Sequence, residues 1–471
     1  MTAILDQTAP ATGTPRKLKR SMRVIGTLLL TLSSVTPASS VFVIVPGVIQ
    51  QAGTGAFLSM AAAALLSFPI ALVYAELSSA FPIAGGEYCM MGRTLGPGWG
   101  AAMLGLILAG NVLTPAVLAL GAGVYIGAVF PGLDPTAVAI VVIVSTTVLA
   151  VLHIRTNAWV TGIFLVLEIL ALLILVGLGF FHQERSITEL AIHPVTLMGG
   201  TLQQTPLALI GLATSVSVFA FFGYGSAIYF TEEMHEAPRL IGRTILWAVI
   251  ITVLTELAPV AAVLVGAPDL KSLIASQSPF GDFVLARGGR LLNQAISLAV
   301  ALAILNAVLA TLLQNARFFF STGRDLAWHR HINDGFTRTH PRFHSPWIAT
   351  LAAGGTSLLA CFLGMNLLLV LTGTGIVLTY AGLCVATLVG RRTGTTAHAA
   401  FRMRFFPAMP IIGLLGLAYI LYTSWLDPVV GRFSLIANLV VIALSLVYYF
   451  FILRSRGEWI LRGPEEEPEE S

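Results

Sequence analysis

The sequence predicts an all-α polytopic membrane protein with about twelve transmembrane helices. Three observations carry this. Hydrophobic residues fill 56% of the 471 positions and charged residues 10%, against roughly 25% charged in a soluble domain. The mean hydropathy is +0.87. Apolar runs long enough to cross a hydrocarbon core, about 20 residues each, recur along the chain. A soluble fold of this size needs far more polar surface. A soluble enzyme, a disordered chain and a nucleic-acid binder are therefore excluded, despite a pI of 9.1.

Gly, Pro and charge clusters divide the apolar sequence into twelve runs. They cover 24–49, 55–80, 98–130, 136–152, 158–181, 207–231, 241–266, 290–320, 347–364, 366–389, 408–425 and 432–453. The third and eighth are long, which predicts tilt or extension beyond the bilayer. No charged loop separates 347–364 from 366–389, and fusing them would give eleven spans. Residues 1–23 form a polar N-terminal tail, 24–454 the membrane domain and 455–471 an acidic C-terminal tail. No short apolar region with a small-residue cleavage site follows the basic cluster, so the first helix is expected to be retained.

Charge sets the expected orientation. With the N-terminus in the cytosol, 21 Lys/Arg fall on cytosolic segments and 5 on outer ones. That asymmetry obeys the positive-inside rule and places both termini in the cytosol of a cytoplasmic (inner) membrane. The basic side faces anionic lipids. The connection 321–346 reads as a short amphipathic or irregular segment. Cys89, Cys361 and Cys384 are odd in number and far apart, which argues packing rather than a disulfide framework.

Two spans contain sequence that resists a helix. Ser33-Ser-Val-Thr-Pro37-Ala-Ser-Ser40 lies within the first span, where Pro37 removes a donor and clashes with the preceding turn. Phe219-Ala-Phe-Phe-Gly223-Tyr-Gly225-Ser226 lies within the sixth. Irregular backbone at membrane depth is tolerated only where it is buried in protein or lines a cavity. The breaks are about 185 residues apart and each opens a block of five spans, the pattern of a LeuT-type 5+5 inverted repeat. The repeats then cover about 24–181 and 207–389, with two additional helices at about 408–453.

Three stretches carry a resemblance to the amino acid–polyamine–organocation superfamily of permeases along nearly the whole chain. Thr36-Pro-Ala-Ser-Ser-Val-Phe-Val-Ile-Val-Pro46-Gly47 resembles G-S-G-[IV]-F-x-x-P-G. Ala75-Glu-Leu-Ser-Ser-Ala-Phe-Pro-Ile-Ala-Gly85-Gly86-Glu-Tyr88, with Arg93 and Leu95-Gly-Pro97, is similar to the segment joining the second and third spans. Phe219-Ala-Phe-Phe-Gly-Tyr, Glu232-Glu233, Ala237-Pro-Arg239 and Arg243 resemble F-x-G-[FY]…E-E…N-P-x-R…P-R. The chain departs where Ala38-Ser39-Ser40 replaces G-S-G and where one extra residue precedes Pro46. The fifth span has no lysine; Glu168 occupies that neighbourhood.

The resemblance implies a substrate carboxylate at the first break, met by amides and hydroxyls of Ser39 and Ser40 beside Ala38. It implies an α-amine at the carbonyls of Thr36, Phe219, Ala220 and Phe222, next to Gly223, with Phe219 as a gating aromatic. Helix dipoles and aromatic faces favour these charges. Asn111 and Asn306 are candidate selectors, or else interhelical hydrogen bonds.

Four acids in membrane regions need a role, because a charged acid at the bilayer centre costs about 2.5–3.5 kcal/mol. Glu168 and Glu256, near mid-span, are proton-coupling candidates or structural acids. Glu76 and Glu232, near cytosolic ends, are expected to pair with Arg93, Arg239 or Arg243 in a cytoplasmic gate. His329, His331, His340 and His344 have weak metal-like spacing in a solvated loop. No metal and no cofactor is expected. His235-Glu236 begins like H-E-x-x-H, but Arg239 ends the match, so no enzyme is expected.

The expected function is secondary transport of an amino acid or related amine by alternating access, with proton-coupled uptake first and amine exchange second. A channel or nutrient receptor with this fold is the other class. The absence of a fixed acid in either break favours a zwitterionic or cationic amino acid over a polyamine.

Overall fold

A computed structural model describes residues 20–129, 132–152, 154–363, 365–428, 431–457, 459 and 461. Arg16, Lys17, Lys19, Arg462 and the acidic tail from Pro464 lie outside them. Among the described residues, nine helical runs are long and apolar enough to cross a membrane. The first of these, Val24–Ala80, holds the first and second spans together, and the shorter apolar helices Pro135–Ala150 and Trp347–Leu363 are the fourth and ninth. Twelve membrane-scale elements result.

The third span is Pro97–Val129, the fifth Ile154–Phe181 and the seventh Ala237–Gly266. The tenth is Met365–Thr393, the eleventh Ala408–Leu426 and the twelfth begins with Gly431–Tyr448. The ninth and tenth are separate helices. The ninth packs on the fourth, third and eighth, and the tenth on the second, third, eleventh and twelfth.

Packing follows the expected repeats. The second span, Ala56–Ala80, packs on the seventh, the third on the eighth, and the last part of the first, Val45–Ala52, on the start of the sixth. Each of these spans thus meets its counterpart five places later. Large apolar side chains such as Leu207, Leu291, Phe181 and Phe451 are exposed on the periphery, as a lipid-facing surface requires.

Both expected breaks are present. The first span runs Val24–Val35, Pro37–Ser39, a π-helical turn Ser40–Ile44, and Val45–Ala52. Thr36 between the first two has φ 53° and ψ 69°, a left-handed conformation that costs energy in a β-branched residue. Pro37 then opens the next turn, where its missing N–H is harmless. The sixth span runs Leu207–Ala220 and resumes as a 3-10 helix, Tyr224–Glu233.

Three features differ from the sequence expectation. The eighth helix, Pro279–Arg324, starts earlier than 290, but Gly289 at φ 76° divides it. The connection after the fifth span carries a helix, Ile187–Ile192, and an antiparallel hairpin, Val195–Met198 with Thr201–Gln204. Gly199 and Gly200 both have positive φ, which a two-residue hairpin turn requires. The 321–346 connection contains a short helix, Arg330–Phe336. The three cysteines are buried and unbridged.

The two breaks and the cavity between them

The two breaks touch. A Cβ on Gly223, at φ 118°, would lie 2.9 Å from Val35 Cα. Only glycine allows both the dihedral and the approach. The Ser40 hydroxyl donates to the Ala220 carbonyl at 2.9 Å, tying the first break to the second. Between them lies a cavity of about 60 Å³, with polar lining from Ser34, Asn111, Ser226, Gln314, Asn315 and Thr379 and aromatic lining from Phe222 and Tyr380. Each water-sized group needs about 10–15 Å³, so the ligand that fits is small.

Glu168 and Ala38 meet at the first break, outside the lining of this cavity. The Glu168 carboxylate Oε1 accepts the Ala38 amide at 2.7 Å. This amide lies one residue before the Ser39 and Ser40 amides expected for a substrate carboxylate, and the Ser40 amide is itself taken within the first break. The Ala220 carbonyl, expected for an α-amine, is taken by Ser40. The Thr36 carbonyl accepts the Ser40 amide at 2.9 Å. Ser39 and Ser40 are buried beside these groups. Ser40 therefore joins the two breaks instead of offering its hydroxyl to a ligand.

Other candidates divide. Asn111, Phe222 and Gly223 line the cavity. Asn111 Nδ2 is buried without an acceptor, and Asn315 Nδ2 donates to the Asn111 carbonyl at 2.5 Å. Asn306 does not line this cavity; its Nδ2 donates to the Thr161 carbonyl at 3.3 Å, as does the Ser33 hydroxyl. It is an interhelical tie. Phe219 lines a different cavity, with Val43, Gly47, Leu212 and Ile420, because it sits within the helix Leu207–Ala220 whereas Phe222 lies in the turn past its end. Glu256 is fully buried, with the Ser40 hydroxyl and Glu168 as the polar groups within its electrostatic reach.

The expected gate pairs are corrected. Glu76 accepts from Arg391 at 2.5 and 2.6 Å and from the Met403 amide at 2.9 Å. Glu232 accepts from Arg324 at 2.7 and 2.8 Å and from the Ala84 amide at 2.9 Å. Arg93 instead donates to the Leu461 carbonyl at 2.9 Å. Arg239 and Arg243 are exposed, because Pro238 and the turn before it aim that helix start outward. Glu233, which the sequence did not single out, accepts from Arg317 at 2.8 and 3.1 Å, both side chains buried. The backbone carbonyl of Glu233 also receives the Ser21 and Met22 amides at 2.9 Å. These pairs gather the ends of the second, sixth, eighth and tenth spans on the N-terminal side.

Sequence reading also missed Glu87. It opens the helix Glu87–Leu95 between the second and third spans and reaches the cavity lining. Tyr74 donates to its Oε1 at 2.8 Å and Tyr229 to its Oε2 at 2.5 Å. Burial pushes the carboxyl above its ordinary range, and the Tyr229 and Tyr74 hydroxyls partly offset this. The available signal was Gly85-Gly86. Gly86 has φ 68°, a turn that feeds position 87 back into the protein.

A family model described as amino acid permease matches residues 23–452. An uncharacterized transporter of Mycobacterium tuberculosis is 27% identical over 340 residues, 72% of this chain and 73% of its own. The methylthioribose transporter of Bacillus subtilis is 24% identical over 444 residues, 86% and 88% of the two chains. The branched-chain amino acid permease BcaP of Lactococcus lactis is 25% identical over 436 residues, 87% and 90%.

Proposed function

This chain belongs to the amino acid permease family, and from that premise we propose that it takes up an amino acid or related amine by alternating access, driven by protons. It is a multi-pass membrane transporter and not an enzyme. The observation that carries the proposal is the meeting of two broken helices at one small cavity lined by polar and aromatic side chains, with a buried acid on the first break. Two repeats that rock about such a site expose it to each side in turn.

Glu168 is the proposed coupling acid, with Glu256 beside it. A carboxyl bonded to the break's own backbone changes that bond when it gains or loses a proton, so protonation is linked to the hinge. The buried pairs Glu233–Arg317 and Glu232–Arg324 and the half-buried pair Glu76–Arg391 form the proposed gate on the cytosolic side, with Arg93, Arg239 and Arg243 near it. The proposed setting is the cytoplasmic membrane with both termini in the cytosol, supported by the arginine asymmetry.

The test is uptake of labelled amines and amino acids into proteoliposomes, with and without an inside-alkaline pH gradient. Gradient-driven accumulation supports proton symport. Uptake only into amine-preloaded vesicles, indifferent to the gradient, replaces symport with exchange.

A further inference from the structure

Glu87 is the one charged side chain among the described residues that line the central cavity. Among the described residues no arginine or lysine forms an ion pair with it. Its partners are two phenol hydroxyls, one on each oxygen, and its own backbone amide. A carboxylate has about four acceptor sites, so capacity for a further donor remains. Tyr229 and Tyr74 fix the carboxylate without neutralising it, and the rings of Tyr380, Phe222 and Tyr229 stand around the same space. Negative charge and aromatic faces together favour a cation.

The opposite end of an amino acid fares worse. A carboxylate leaves water only if it gains a cation or several donors. No basic side chain lines the cavity among the described residues. The Ala38 amide on the first break is already bonded to Glu168, so a second carboxylate there would face the first. Asn111 Nδ2 and Ser226 Oγ remain unpaired in the lining. They suit a neutral hydroxyl or water and bring no charge.

We infer that the ligand is a small organic cation without a carboxylate, and that Glu87, held by Tyr74 and Tyr229, is its counter-ion. Glu168 then supplies, from the protein, the carboxylate that an amino acid would have brought. This inference rests on the transport reading above and narrows its substrate class. It also reverses the preference drawn from the sequence, which saw no fixed acid at the site.

The test uses the full-length protein in nanodiscs and three matched pairs: 1,4-diaminobutane and ornithine, ethanolamine and serine, isoamylamine and leucine. The members of each pair differ by one carboxylate. In the pair that binds, the amine is expected to bind at least about tenfold more tightly than its carboxylated partner. Glu87→Gln is expected to weaken amine binding by about tenfold or more, and Glu87→Asp to restore most of it. Tyr229→Phe, which keeps the charge but loosens it, is expected to fall between and serves if Glu87→Gln does not fold. Tighter binding of the carboxylated member, or amine binding indifferent to Glu87→Gln and Tyr229→Phe, overturns the inference. If wild-type proteoliposomes accumulate leucine, serine or ornithine but none of the amines, the transport reading stands and the counter-ion falls. If no probe binds or moves, both fall.

Discussion

Glu168 on the fifth span and the Ala38 amide on the first are joined by a 2.7 Å hydrogen bond across 130 residues of sequence. Proline 37 leaves the start of the new helical turn exposed, and a helix N-terminus carries partial positive charge and unpaired N–H groups. The fifth span delivers an acid to it. The first break is therefore stabilised from within the protein, and in the proposed cycle a proton gained or lost at Glu168 would act on this bond.

Glu168→Gln retains a carbonyl that can accept the Ala38 amide but cannot release a proton. Proteoliposomes carrying it are expected to lose pH-gradient accumulation while keeping exchange between preloaded and external amine. Glu168→Leu leaves the Ala38 amide unpaired and is expected to cost about 1–3 kcal/mol, read as a lower melting temperature in detergent. Gradient-driven uptake by Glu168→Gln at the wild-type rate would remove this residue from coupling.

Gly223→Ala combines a left-handed backbone with a Cβ 2.9 Å from Val35 Cα. The dihedral alone costs about 1–2 kcal/mol, and backbone on both sides cannot yield. The expected outcome is a lower melting temperature and loss of transport. Gly355→Ala on the ninth span, whose added Cβ meets nothing within 4 Å, is the control and should melt no earlier than the wild type.

Arg317→Ala strands the buried Glu233 carboxylate, which should cost about 3–5 kcal/mol. The pair also holds the sixth span to the eighth on the N-terminal side. The variant is expected to melt earlier and to label faster at a cysteine placed in the central cavity when reagent is applied from that side. Unchanged labelling would make the pair purely structural.

Phe222 and Phe219 test which face of the sixth span meets the ligand. Phe222→Ala removes a cavity wall and is expected to raise KM roughly tenfold, about 1.4 kcal/mol. Phe219→Ala lies on another cavity, and its KM should stay within about twofold. The reverse result would restore Phe219 as the gating aromatic.

Acidification should weaken amine binding through Glu87. Burial raises this carboxyl above its ordinary value, so the anion that holds a cation is complete above the raised value and is lost as pH falls through it. The groups that face it are Tyr74 and Tyr229, with Tyr380 and Cys89 behind them; none of these side-chain types gains charge on acidification. Affinity for 1,4-diaminobutane, measured in nanodiscs between pH 8 and pH 4, should decline on the acid side in wild type and stay flat in Glu87→Gln.

Much of this architecture was readable in the residues. Pro37 after Thr36 and the Gly223–Gly225 pair announced both breaks, because proline and glycine act on local backbone energetics. The spans were legible because burial in lipid imposes a length and a composition on each segment separately. The side-chain partners were not. Glu76 was expected to meet an arginine near it in the chain, yet it meets Arg391, 315 residues away. Arg239 and Arg243 face outward although they follow Glu232 closely. Asn111 and Asn306 looked alike as polar residues in apolar helices, and only rotation about the helix axis separates the one in the cavity from the one on the Thr161 carbonyl.

The sequence by itself determined that the chain spans a membrane, where its helices run and where two of them break, since hydropathy and backbone strain are properties of short segments. Only the tertiary structure decided what those breaks face. Which donor Glu168 occupies, which tyrosines hold Glu87 and which arginines close the N-terminal side depend on the packing and rotation of helices far apart in the chain, and no local pattern encodes them.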